Sequence, residues 1–201
     1  MSGAAATGMA LKKALRLGGT LFLVTAITGL VLGVVEQGTR EAILRTRGEA
    51  RSEALRNVMP EAETFKSLEV APEEGPVAVV GVDEALRGSD REGWCVAVSS
   101  KGYGGPVSLM VGITKDGGVR ALRVLTHSET PGLGARSAEP AFHGQFDNRS
   151  RLPLRVVKGA AGAEDEVSAI SGATITSTAV VAGVNAAVDY WNRNLQGGQK
   201  Q

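Results

Sequence analysis

The stretch VSLMVGITKDGGVRALRVLT, residues 107–126, predicts the central hairpin of the fold. From Val107 to Ile113 apolar residues recur at every second position, which is the periodicity of a β-strand with one buried face. Asp116-Gly117-Gly118 then supplies a turn, and the chain returns through a second apolar stretch that ends at Thr126. The sequence therefore predicts two antiparallel strands joined by a tight turn.

Further strands and one helix extend this pattern in both directions. Val77, Val79 and Gly81 begin one strand, and residues 94–98 form another. The glycine-rich connection Lys101–Pro106 is typical of a turn. Near the C-terminus, residues 179–195 carry apolar side chains at helical spacing. We therefore expect an α+β domain with a mixed or antiparallel sheet and packed helices.

The N-terminal part of the chain predicts a membrane anchor. Leu17 to Val35 is 19 residues without a charge, and at about 1.5 Å per residue such a helix spans roughly 28 Å, close to a bilayer's hydrocarbon thickness. Lys12, Lys13 and Arg16 also permit a cleaved signal peptide, but no small-residue cleavage site precedes Glu36. An uncleaved transmembrane helix with a cytoplasmic N-terminus and an exported domain is favoured.

These features divide the chain into five predicted parts. They are a cytoplasmic N-terminus (1–16), a transmembrane helix (17–35), a juxtamembrane helical stalk with its linker (36–76), one ligand-binding domain (77–195) and a polar tail (196–201). The stalk ends at Met59-Pro60, and Pro72–Pro76 is the predicted linker.

Composition excludes several classes of function. The net charge is +1 and no basic stripe is evident, which argues against binding to nucleic acid. Cys95 is the only cysteine, and the two histidines are His127 and His143. An internal disulfide is impossible, and a haem, an iron–sulfur cluster or another metal site is not expected. Redox chemistry would therefore need an organic cofactor.

The stretch SGATITS, residues 171–177, is the first candidate binding motif. Its small and hydroxyl-bearing residues open the last helix, with Ser171 as the predicted N-cap. The unpaired N–H groups and the positive dipole end of such a helix can hold a phosphate without lysine or arginine. An ordinary serine- and threonine-rich helix start without any ligand is the commoner meaning of these seven residues taken alone, since such caps are frequent.

The second candidate motif is HSETPGLG, residues 127–134. Pro131-Gly132 demands a tight turn, and Gly134 frees the backbone again. This places Glu129 and Thr130 at the end of a strand, where a rigid loop can lie against a planar ligand. A bare connector in which Glu129 is a solvated acid is the alternative.

Taken together and in order, these motifs resemble the G subunit of the Rnf electron-transport complexes and its relative, the C subunit of the sodium-translocating NADH:quinone reductases. The resemblance runs from the anchor and Met59-Pro60 through Lys101–Pro106 and His127–Gly134 to Ser171–Thr174. It implies an electron-transfer subunit of a membrane complex that works between ferredoxin and NAD. The chain itself shows no dinucleotide-binding glycine motif after a strand.

The resemblance also implies a covalent FMN whose phosphate is esterified to Thr174 by a flavin transferase outside the cytoplasm, with the domain on the periplasmic side of the inner membrane. The other residues expected at the cofactor are Tyr103, Glu129, Thr130, Pro131, Gly132, Leu133, Gly134, Ser171, Gly172, Ala173, Thr176 and Ser177. Expected partners are the other subunits of the complex, the transferase and the lipid bilayer.

Two alternatives are compatible with the same residues. One keeps the flavin and changes the assembly to a quinone reductase or a stand-alone tethered flavoprotein, which co-purifying subunits would distinguish. The other is a membrane-anchored scaffold without cofactor. The feature that favours a scaffold is Ser168, six residues before Thr174, where the family usually carries an acid.

Overall fold

The structure is a computed structural model that describes residues 3–70, 75–150 and 152–196. Residues 71–74 of the predicted linker, 197–201 of the predicted tail and the first two of the predicted N-terminal segment lie outside the described residues. The elements are α1 (Gly3–Val58), β1 (Thr64–Leu68), β2 (Val77–Arg87), β3 (Asp90–Lys101), β4 (Pro106–Thr114), β5 (Val119–Thr126), α2 (Pro140–His143), β6 (Arg155–Val157), β7 (Glu166–Ser168) and α3 (Thr174–Tyr190). Two 3₁₀ helices, Gly134–Ala138 and Gly144–Phe146, flank α2, and a π-helical turn, Trp191–Leu195, follows α3.

The centre of the fold is a five-stranded antiparallel sheet in the order β1-β2-β3-β4-β5. The predicted hairpin is β4–β5, closed by hydrogen bonds of 2.9 Å from the Thr114 N–H to the Gly118 carbonyl and 3.0 Å from the Gly117 N–H to the Thr114 carbonyl. Gly117 has a φ of +83°, which favours glycine. β6 and β7 form a separate parallel pair. The predicted α+β class is confirmed, and β1, β6 and β7 are additional strands.

One face of the sheet carries large side chains and is covered by α3. Trp94, Val96 and Val98 alternate along β3 and pack in one core with Val180 and Val184 of the helix. Such alternation follows from the two-residue period of a strand. Full burial of each large side chain contributes about 1.5–3 kcal/mol, so packing on this face stabilises the domain and holds α3 against the sheet.

The opposite face carries small side chains and is covered by the last turns of α1. Ala54, Leu55 and Val58 share a second core with Cys95 and Ala97, the residues of β3 between those of the first core. Close approach of the helix requires small residues beneath it, and burial raises the pKa of the Cys95 thiol. Both faces of the sheet are therefore buried.

The compact unit that contains the sheet begins at Ala50, whereas the sequence interpretation began the domain at residue 77. The difference arises because the end of α1 looks like a charged stalk in sequence. Arg51, one of its charged residues, pairs with the buried Asp83 of β2 at 2.5 Å. Ser67 of β1 donates a hydrogen bond of 2.5 Å to the same carboxylate. The end of α1 and β1 are thus parts of the folded unit.

Residues 1–49 form the other compact unit. Within its described part, the segment Arg16–Arg40 of α1 is 25 residues long with a mean hydropathy of 2.1, and its side chains are exposed. It is the one helix of the described chain that is long and apolar enough to cross a membrane. The predicted span, residues 17–35, lies inside it.

Candidate functional site

A cavity of about 470 Å³ lies between the glycine-rich β3–β4 connection, the loop after β5 and the start of α3. This volume is in the range of small-molecule and cofactor sites. The residues that line it are Tyr103, Glu129, Thr130, Leu133, Gly134, Gly172, Ala173, Thr174, Ile175 and Thr176. Three segments far apart in sequence, including both candidate motifs, therefore meet at one site.

Glu129 connects the three segments. Its carboxylate accepts a hydrogen bond of 3.0 Å from the Gly104 N–H through Oε1, and one of 2.7 Å from the Thr176 hydroxyl through Oε2. The residue is 7% exposed, so the alternative in which Glu129 is a solvated acid is wrong. A buried carboxylate needs such donors, because desolvation without them is costly. Glu129 thus forms part of the cavity wall, and its hydrogen bonds act as a brace that holds the three segments together.

The glycines around Glu129 are required by close approach. A Cβ on Gly102 would lie 2.3 Å from Glu129 Oε1, and one on Gly134 would lie 2.4 Å from Oε2. On Gly104 it would lie 2.3 Å from the Ser128 carbonyl oxygen. Real Cβ contacts are not this short. The glycines of the Lys101–Pro106 connection, which alone predict no more than a turn, thus let the backbone surround the carboxylate.

The residues just before α3 form a tight turn, Ile170–Ala173, which we call the acceptor turn. It is closed by a 2.9 Å hydrogen bond from the Ala173 N–H to the Ile170 carbonyl, and its third residue, Gly172, has a φ of +77°. These are the features of a type II turn. Because the positive φ of Gly172 is not helical, α3 begins at Thr174 with Ala173 as its N-cap and without a capping side chain. The prediction that Ser171 is the N-cap is wrong.

The hydroxyl groups of residues 171–177 have different environments. Ser177 is fully buried, and its hydroxyl accepts the Ile170 N–H at 2.9 Å and donates to the Ala173 carbonyl at 3.0 Å. Thr176 is 1% exposed and is bound to Glu129. Ser171 is exposed but lines a neighbouring groove. Thr174 is exposed and lines the cavity. It is the one hydroxyl of this stretch with both properties.

The start of α3 offers unpaired backbone donors at the cavity. The first helical hydrogen bond runs from the Ser177 N–H to the Ala173 carbonyl at 3.0 Å. Within the described residues, the N–H groups of Thr174, Ile175 and Thr176 have no acceptor. Free N–H groups and the helix dipole together favour an anion here. No lysine or arginine of the described chain lines the cavity, so the backbone would have to supply the attraction.

The rim of the cavity carries exposed apolar side chains. Tyr103, Leu133 and Ile175 are 74%, 44% and 56% exposed. Exposed side chains of this size around one cavity are typical of a binding site. A planar ring system between them would recover their apolar contact area. Ile175 was missed in the sequence interpretation, although an apolar residue in the first turn of a helix that starts at Thr174 is a usable signal.

Nine of the thirteen residues predicted at the cofactor line the cavity, and four do not. Pro131 and Gly132 shape the loop, where Gly132 has a φ of +76° and the Leu133 N–H reaches the Thr130 carbonyl at 3.2 Å. Ser171 belongs to the acceptor turn and Ser177 braces it from inside. The individual roles of these residues toward a cofactor stay predictions.

Residues 102–189 match the family of FMN-binding domains. The site and this match define the class: the chain carries an FMN-binding domain. The cavity residues fit that cofactor, because unpaired helix N–H groups for a phosphate and an apolar rim for a flat ring border the same space.

Relatives identify the family within this class. The G subunit of a proton-translocating ferredoxin:NAD(+) oxidoreductase complex of Clostridium ljungdahlii is 31% identical, with 81% of this chain and 83% of that one aligned. The G subunit of an ion-translocating oxidoreductase complex of Methanosarcina acetivorans is 32% identical, with 85% and 90% aligned. The Na(+)-translocating counterpart of Acetobacterium woodii is 30% identical, with 90% and 92% aligned. The chain belongs to the family of G subunits of ion-translocating oxidoreductase complexes.

A solved structure, that of Shewanella oneidensis NqrC, is similar as well. The sequence identity is 25%, the TM-score is 0.47, and the alignment covers 57% of this chain and 55% of that one.

Proposed function

We propose that this chain is the subunit of an ion-translocating ferredoxin:NAD oxidoreductase that transfers electrons through an FMN bound to Thr174 by a phosphoester. The observation that carries the proposal is the position of the Thr174 hydroxyl, exposed at the edge of the cavity and at the start of α3. The resemblance to the Rnf subunit and the names of the three relatives support the assignment to this complex.

Residues of the site would hold the cofactor at two ends. The free N–H groups of Thr174, Ile175 and Thr176 would donate to the phosphate oxygens, and the side chains of Tyr103 and Leu133 would pack on the ring. Bound FMN supplies the electron-transfer chemistry, and the protein supplies position and electrostatics. The buried carboxylate of Glu129 would place negative charge near the ring and so disfavour added negative charge on it.

A flavin transferase that takes FMN from FAD is the expected partner in maturation: the Thr174 hydroxyl would lose its proton and attack the FMN phosphorus, the pyrophosphate bond of FAD would break, and AMP would leave. The exposure of Thr174 supports this, because an enzyme can reach its hydroxyl without unfolding α3. We also propose that the anchor lies in the bacterial cytoplasmic membrane and that the FMN-binding domain is on the periplasmic side. The length and hydropathy of Arg16–Arg40 support a single span.

The test of the linkage uses two threonines one helical turn apart. Thr174→Ala should abolish the flavin fluorescence of the denatured protein in a gel when the chain is produced with the transferase. Thr178→Ala is the matched control, because Thr178 is also exposed on α3 but does not line the cavity. It should stay fully fluorescent. A fluorescent Thr174→Ala protein would place the linkage elsewhere, and a non-fluorescent wild-type protein would favour a scaffold without covalent cofactor.

A further inference from the structure

The backbone that leads to Thr174 is held by side chains that lie outside the cofactor cavity. Ser168, the last residue of β7, donates its N–H to Gln145 Oε1 at 2.8 Å, and Gln145 Nε2 donates to the Ser168 carbonyl at 3.3 Å. One side-chain amide thus satisfies both backbone groups of Ser168, as a neighbouring strand would. In the described chain, Gln145 and Ser177 are the side chains that bind the backbone of residues 168–173.

Gln145 is itself held in place. Arg149 donates through Nε to the Gln145 carbonyl at 2.6 Å and through Nη1 to the Glu164 carbonyl at 2.6 Å. Its Nη2 reaches the Glu166 carbonyl at 3.4 Å. The arginine therefore joins the 3₁₀ helix that carries Gln145 to the first residue of β7 and to the chain just before it. The backbone from which the Gln145 amide reaches Ser168 is therefore held close to the start of β7.

Core packing holds the two ends of the acceptor turn, Ile170 and Ala173, but does not reach its middle. Ser171 and Gly172 are exposed, and the groove of about 240 Å³ beside them leaves one side of the turn open. Ser177 braces the C-terminal end of the turn from within α3. At the N-terminal end, the Ala169 N–H reaches the Val157 carbonyl at 2.9 Å, and Gln145 holds the residue before it.

We propose that Gln145 is a positioning residue for the modification of Thr174: its amide fixes Ser168 and so sets where the acceptor turn presents the Thr174 hydroxyl to the transferase. This inference rests on the proposed function, since it assumes transfer to Thr174. Gln145 touches neither the cavity nor Thr174, and it acts through the chain between Ser168 and the helix. Group transfer is sensitive to displacements of the nucleophile of about 1 Å, which cost up to roughly a hundredfold in rate.

The chain contains a matched control for the loss of a two-bond amide clamp. Asn185 of α3 accepts the Leu154 N–H at 2.9 Å and donates to the Leu154 carbonyl at 2.8 Å. Asn185 and Gln145 are both half-buried. Asn185 lies more than two helical turns beyond Thr174, and its partner Leu154 precedes β6, whereas Ser168 leads directly into the acceptor turn. If Gln145 contributed to stability alone, loss of either amide clamp would have the same effect on the rate at which Thr174 is modified.

The experiment compares Gln145→Met with Asn185→Leu in the full-length, detergent-solubilised chain. Each protein is purified without flavin and incubated with FAD and a flavin transferase, and the modified fraction is followed over time by intact mass. Both variants should unfold at lower denaturant concentration than the wild type. Only Gln145→Met should be modified slowly, by about tenfold to a hundredfold at saturating transferase, whereas Asn185→Leu should match the wild type.

Equal modification rates for the two variants would overturn the inference, whatever their stability. Wild-type protein that gains no mass would overturn the proposed function together with the inference, and that result is visible in the control sample. Gln145→Glu guards against a variant that does not accumulate, because it keeps the acceptor of the 2.8 Å bond. It should be modified at a rate between those of the wild type and Gln145→Met, and a wild-type rate would contradict the proposal.

Discussion

Replacement of Glu129 by alanine should destabilise the FMN-binding domain, whereas replacement by glutamine should not. Alanine leaves the Gly104 N–H and the Thr176 hydroxyl without an acceptor. Each unsatisfied buried donor costs about 1–3 kcal/mol. The cavity admits water to part of this site, so we expect a total of about 2–4 kcal/mol. For a chain of this length, that loss lowers Tm by about 4–16 °C.

Glutamine tests the same contacts without the charge. Its carbonyl oxygen can accept the Gly104 N–H, and its amide can donate to the Thr176 hydroxyl, so the free energy of unfolding should change by less than about 1 kcal/mol. The assay is denaturant unfolding of the detergent-solubilised chain, followed by tryptophan fluorescence. Both tryptophans, Trp94 and Trp191, are buried in the domain. An alanine variant as stable as the glutamine variant would refute the role of Glu129 as a brace.

Three further outcomes are expected. Gly134→Ala would place a Cβ 2.4 Å from Glu129 Oε2 and should cost about 1–3 kcal/mol by denaturant unfolding, whereas the control Gly144→Ala meets nothing within 4 Å. Burial, and to a lesser degree the charge of Arg123, lowers the pKa of His143 below its usual value of 6.5. As pH drops below about 6.5, the unfolded chain therefore takes up a proton at His143 more readily than the folded chain does, and the free energy of unfolding falls. His143→Gln should flatten that fall in unfolding midpoints measured between about pH 8 and pH 5, and an unchanged slope would exclude His143 as its source. Alkaline phosphatase fused after Gln201 should be active in cells, because Arg16–Arg40 is the one helix of the described residues that could span a membrane and the N-terminus is predicted to be cytoplasmic. Activity of a cytoplasmic reporter instead would reverse the orientation.

Local apolar patterning predicted four of the five strands of the main sheet, because each of the four carries its apolar residues in a short stretch of chain, whereas β1 was missed. Residues 94–98 and 107–113 show the period of two that the two cores require. The packing of the end of α1 on the sheet was not predicted, because its buried face consists of three apolar residues separated by charged ones. Its charged residue Arg51 pairs with Asp83, a contact that exists only in the folded chain. The local charge pattern predicted a stalk for this segment, whereas tertiary contacts make residues from Ala50 onward part of the folded unit.

The candidate site was predictable in its motifs and not in its contacts. The sequence indicates that Glu129 and Thr176 belong to functional segments. Nothing in the local sequence shows that these residues, 47 positions apart, form a hydrogen bond of 2.7 Å. The N-cap prediction failed for a local reason. Ser171 satisfies the capping preference, yet Gly172 adopts a positive φ and delays the helix to Thr174. The bonds from Gln145 to Ser168 leave no trace in sequence spacing.

The covalent attachment of FMN to Thr174 is tested most directly by peptide mapping with mass spectrometry of the chain purified from its native host. We predict that the peptide containing Thr174 carries the added mass of FMN less one water, and that fragment ions place it on that threonine. Phosphatase treatment of the intact protein should not release it, because a diester has no terminal phosphate. An unmodified Thr174 peptide in protein taken from an active complex, or a flavin located on Thr176 or Thr178, would contradict the proposed attachment.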